Sequence, residues 1–109
     1  MKFLKLVFIA AIPLSAAANP GHDKIAGLSE PDRGAIFAKL LSNGGERCPS
    51  SVRTFYQGSD KQGNAYWNIQ CTGALSYMIQ VSNNANGSTS VLECGLMKKA
   101  NIGTCFKKF

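Results

Sequence analysis

Cys48, Cys71, Cys94 and Cys105 are the residues best equipped for chemistry in this chain, and their spacing limits what they can do. The intervals between them run 23, 23 and 11 positions. A zinc site usually brings its ligands in pairs about two to four residues apart, so these intervals argue against a metal centre. No Cys-x-x-Cys occurs, which removes the thioredoxin-like redox motif and the c-type haem attachment site together. An even number of cysteines in a short chain carrying an export signal reads as two disulfides. Neither a metal nor a cofactor is expected.

The rest of the catalytic inventory is thin. His22 is the single histidine and falls in a Pro/Gly-interrupted stretch read as a mobile, solvated arm. A general base must be held within hydrogen-bond reach of its proton donor, which such a stretch does not provide. The serines form neither a Gly-x-Ser-x-Gly elbow nor a Ser-x-x-Lys motif. Glu30 and Asp32 suit a helix start, Glu46 and Asp60 suit turns, and Glu93 sits in a strand, so no two of them read as a catalytic pair. Gly44-Gly45 lacks the Gly-Lys-Ser/Thr that completes a phosphate loop. Asn86-Gly-Ser88 matches a glycosylation triplet but reads as a turn. These features point away from an enzyme and toward a protein that acts by binding.

Two groups of residues are candidates for that binding. Residues 19–97 contain six basic and six acidic side chains, which cancel. Outside the leader, the entire positive excess therefore resides in Lys98, Lys99, Lys107 and Lys108, interspersed with Ile102, Phe106 and Phe109. Lysines near an anionic surface each contribute about 1 kcal/mol. The second group comprises Phe55, Tyr56, Tyr66, Trp67 and Tyr77 on neighbouring strands, with Arg53 beside Phe55. Trp67 and Tyr77 belong to the face that packs on a helix. Tyr66 and one of Phe55 and Tyr56 are left on the opposite face, with Tyr66 and Phe55 taken as the candidate contact surface. With few cations near these rings, a nucleic-acid platform is not expected.

These side chains are positioned by a small domain. Lys2 and Lys5, the apolar run Leu6–Leu14 and the small residues Ser15–Ala18 read as a secretory signal cleaved after Ala18. The run is too short to span a bilayer. Residues 19–28 read as a flexible arm and 29–109 as one domain with a basic C-terminal tail. Ser29 as N-cap, Glu30-Pro31-Asp32 in the first turn and the stripe Ile36, Phe37, Leu40, Leu41 predict a helix over 30–42, ended by Asn43-Gly44-Gly45. Strands follow at 52–57, 65–71, 76–81 and 90–94, with a turn over 58–64 and a type I′ turn expected at Asn86-Gly87.

Connections this short allow only antiparallel neighbours. The fold class is therefore α+β: one helix packed on a four-stranded antiparallel meander. In strand order 1-2-3-4, Cys71 and Cys94 lie two strand spacings apart, about 9.6 Å, beyond the roughly 7 Å a disulfide spans. The expected pairs are Cys48–Cys71 and Cys94–Cys105.

The function that follows is an exported, monomeric binding module or inhibitor, periplasmic or extracellular. It would engage a protein or an anionic envelope component through the aromatic sheet face and the basic tail. A membrane-active protein using the Lys/Phe tail is the alternative, and a small hydrolase with an unrecognised site is the third reading.

Overall fold

The computed structural model describes residues 19–109. The expected leader, residues 1–18, lies outside the described residues.

Helix α1, Pro20–Ala26, occupies the stretch expected to be a flexible arm, which corrects that expectation. Asn19 caps it: its side-chain oxygen accepts from the His22 N–H at 3.1 Å. The same side chain donates from Nδ2 to the carbonyls of Gly63 at 2.9 Å and Val81 at 3.0 Å. The cap is itself buried. Asn19-Pro20 carries a local helix-start signal, but seven residues cannot sustain a helix alone. Contacts to residues 44 and 62 positions away hold this one.

Helix α2, Glu30–Asn43, starts and ends as its sequence implies. Ser29 Oγ accepts from the Asp32 N–H, and Gly44 closes the last turn onto Leu40 and Leu41. It buries Gly34, Phe37 and Leu41, spaced three and four residues apart, while Ile36 points outward. Gly34 is there for proximity. A Cβ at that position would lie 2.5 Å from Ser51 Oγ, so only glycine lets the helix approach the first strand this closely.

Strands β1 (Ser51–Ser59), β2 (Ala65–Cys71), β3 (Leu75–Val81) and β4 (Thr89–Glu93) form one antiparallel meander in that order. Ala65, Trp67, Ile69 and Cys71 of β2, with Tyr77, Ile79 and Val81 of β3, meet Phe37 and Leu41 in the core. Register shifts in β1 between Ser51 and Arg53 and between Tyr56 and Gly58 bend this edge strand, and the second makes Gln57 an extra residue. At the β3–β4 connection Asn86 does not adopt the positive φ that a type I′ turn requires. The loop spans Ser82–Ser88 as the sequence implies, and it is closed by Ser82 N–H to the Ser88 carbonyl at 2.8 Å.

Disulfides join Cys48 to Cys71 and Cys94 to Cys105, the expected pairing. Helix α3, Cys94–Lys99, follows β4 and packs on β3 and β4. Ala100–Phe109 then runs as a strap over the sheet face opposite α2.

Candidate binding surface

The strap is held by two carboxamides that the sheet itself supplies. Alternation along β2 turns Asn68 away from the core shared with α2, and the extra residue in β1 turns Gln57 toward it. Both are almost fully buried. Asn68 Oδ1 accepts from the Phe106 N–H at 2.7 Å, and Asn68 Nδ2 donates to Gln57 Oε1 at 3.1 Å. Gln57 Nε2 donates to the carbonyls of Thr104 at 2.7 Å and Lys107 at 3.1 Å. The Phe109 N–H reaches the Gln57 carbonyl at 3.2 Å. Among the described residues no buried side-chain nitrogen or oxygen lacks a partner. A network satisfied in this way fixes one arrangement of the strap, because any slip strands a buried polar group.

Aromatic contacts reinforce it. The Phe106 ring lies 6.2 Å from that of Phe55, and Phe109 meets Tyr66 edge-on at 5.4 Å. The guanidinium of Arg53 sits 4.0 Å over Phe106 while its Nε donates to Gln70 Oε1 at 2.9 Å. Lys108 Nζ lies 4.5 Å from the Tyr56 ring and 5.6 Å from that of Phe55. Cations are thus pinned over ring faces, where the quadrupole attracts them. The Tyr66 hydroxyl donates to Asp60 Oδ2 at 2.8 Å. Burial, followed by this carboxylate, pushes the phenol's pKa up.

Phe55 and Tyr66, expected to form an open aromatic face, are half-buried beneath Phe106 and Phe109. The reason is the same amphipathic composition that made the tail conspicuous: its phenylalanines need a partner, and these rings are the nearest. Lys98, Lys99, Lys107 and Lys108 all remain exposed. The structure brings Lys108 over Phe55 and Tyr56, while Lys98 and Lys99 stay on α3. Sequence reasoning missed Gln57 and Asn68. A polar residue in alternation with Trp67 and Ile69 reads as solvent-facing, and nothing local announces a segment nearly forty positions later.

His22 is neither mobile nor simply solvated. Its Nδ1 accepts from Trp67 Nε1–H at 3.0 Å, and its ring stacks on Tyr56 at 4.7 Å. The guanidinium of Arg33 lies over the Trp67 ring, 4.8 Å from its centre. It also donates to the carbonyls of Ile25 and Leu28 and so clasps the end of α1. Burial lowers the His22 pKa, with Asp23 opposing it. Beside it lies a cleft of about 230 Å³ lined by Asn19, Asp23, Ser59, Asp60 and Lys61. Trp67 takes the Nδ1 lone pair, so the imidazole fastens α1 to the core.

A larger open cleft of about 580 Å³ separates α2 from residues 48–51, lined chiefly by Pro31, Ala35, Ala38 and Pro49. It gathers no convergent set of charged groups.

No family model, no curated protein and no solved structure matches this chain. Among the described residues no helix is long and apolar enough to cross a membrane. Two disulfides, with no free cysteine among those residues, fit an oxidising, non-cytoplasmic environment.

Proposed function

We propose that this protein is an exported, non-enzymatic binding module, periplasmic or extracellular, that engages an anionic component of the cell envelope through its strap-covered side. One observation carries the reading. The whole positive excess of residues 19–109 lies in Lys98, Lys99, Lys107 and Lys108, on a segment bound to the sheet by a disulfide and a buried amide network. Charges on a fixed segment lose less entropy on binding than charges on a free tail. The surface is the tail laid upon the aromatic face, with Phe55 and Tyr66 as its support and Arg53 and Lys108 at its edge.

The test is a titration of the purified oxidised protein with dextran sulfate, an acidic polysaccharide, at low and high salt. Binding that weakens with salt and disappears when the four lysines become Gln supports the reading. Unchanged binding by the Gln variant, or no binding at low salt, removes it.

A further inference from the structure

Five large apolar side chains stand open to solvent among the described residues, and three of them lie in α3 and the strap that follows it: Leu96 at 49%, Ile102 at 58% and Phe109 at 68% exposure. They are interspersed with the four surplus lysines. Met97, between Leu96 and Lys98, is buried, and the Ile102 N–H closes back onto the Met97 carbonyl at 3.1 Å. The Cys94–Cys105 bridge ties the ends of this loop together. Leu96 and Ile102 are therefore held on one small closed loop with Lys98 and Lys99, while Phe109 stands with Lys107 and Lys108 at the other end of the strap. The segment from Cys94 to Phe109 lies against the sheet apart from the core that Phe37 and Leu41 share with it, with Met97 buried outside that cluster and Phe106 bonded to Asn68, so all of these groups belong to one layer.

Resting on the reading above, we infer that the anionic partner is a lipid surface, and that the protein lies on an anionic bilayer with its strap side down. The chemistry divides between two groups. Lysines bind the headgroup phosphates and carboxylates, and Leu96, Ile102 and Phe109 enter the boundary between headgroups and acyl chains. Neither group suffices: a few apolar side chains give weak partitioning, and charge alone gives adsorption that salt reverses. A soluble acidic polymer would use the lysines and leave the apolar residues without a purpose, which is why the lipid is the better fit. The disulfide-closed loop presents the apolar side chains without an ordering cost at the membrane.

The experiment is co-sedimentation of the oxidised protein with vesicles of phosphatidylcholine alone and of phosphatidylcholine with phosphatidylglycerol. Dextran sulfate titrations run in parallel. The protein should pellet with the anionic vesicles only. Changing the four lysines to Gln should lower partitioning by about a hundredfold or more. Ile102→Ser and Leu96→Ser together should lower it about tenfold while leaving dextran sulfate binding unchanged. Near-ultraviolet circular dichroism establishes that each variant keeps its fold, and Ile102→Ser alone serves if the double variant does not.

Dextran sulfate binding without vesicle binding overturns the lipid assignment and leaves the anionic-partner reading standing. Loss of both overturns both. Vesicle binding indifferent to the Ser substitutions overturns insertion, and equal binding to neutral vesicles overturns the role of charge.

Discussion

Asn68 and Gln57, on adjacent strands and eleven positions apart, are joined by a 3.1 Å hydrogen bond between their side-chain amides. Through it two residues of the sheet grip three backbone groups of the strap, those of Thr104, Phe106 and Lys107. The pair converts a charged, aromatic segment into a fixed surface, and that conversion can be tested.

Replacing Asn68 by Leu should cost about 2–3 kcal/mol, because the Phe106 N–H loses its acceptor and Gln57 Oε1 loses its donor in a buried site. Urea denaturation reads the total. Hydrogen exchange reads the mechanism: the amides of Phe106 and Phe109 should lose protection while those of α2 keep it. Unchanged protection at Phe106 would show that the rings, and not the amides, hold the strap.

The two disulfides should behave differently. Replacing Cys94 and Cys105 by Ser opens an 11-residue loop, and replacing Cys48 and Cys71 opens a 23-residue one. Chain entropy puts each at about 3 kcal/mol, slightly more for the longer loop. The first change should release α3 and the strap while near-ultraviolet signals from Trp67 persist. The second frees the segment between α2 and β1 and should weaken the whole core. Equal loss of the Trp67 signal in both would contradict this division.

Stability should fall on mild acidification. His22 has its pKa lowered from 6.5 in the folded protein by burial, so the unfolded chain binds the proton more readily. The stabilising contribution is therefore complete above the unfolded pKa. It is lost as pH falls below the ordinary histidine value and through the lowered folded one. Protonated Nδ1 would also confront the Trp67 N–H, a donor with no acceptor capacity. Glu30 and Asp60, whose pKa values are lowered, lose their contributions only at more acidic pH. Thermal melts across this window, followed by the fluorescence of Trp67, the chain's single tryptophan, should show a slope that disappears in His22→Gln. A slope that persists in the variant would assign it to another group.

Gly34→Ala sets two effects against each other. Alanine is favoured in an isolated helix by about 1 kcal/mol, but its Cβ would meet Ser51 Oγ at 2.5 Å and Ser51 Cβ at 2.7 Å. The clash should win, with net destabilisation of about 1–3 kcal/mol. Ser51→Gly in the same chain should recover part of it. A stabilised single variant would mean that α2 shifts away from β1 freely.

Local patterns were enough to establish α2, the four strands, their order and the disulfide pairing. Ser29 and Gly44 cap a helix whose buried stripe repeats at helical spacing, and Trp67, Ile69 and Cys71 alternate along β2. Loops too short for a crossover then permit only a meander, and strand spacing decides which cysteines can meet. The tertiary structure alone decided what covers each face. Asn19 finds Val81 across 62 positions, Trp67 donates to His22 across 45, and Asn68 accepts from Phe106 across 38. Alternation says which side of the sheet a residue faces, not whether another segment will lie there. Asn68 reads as solvated and Phe55 as open for that reason. Whether the lysines stand on a free tail or on a fixed surface depends on the same long-range contacts, which carry no local signature.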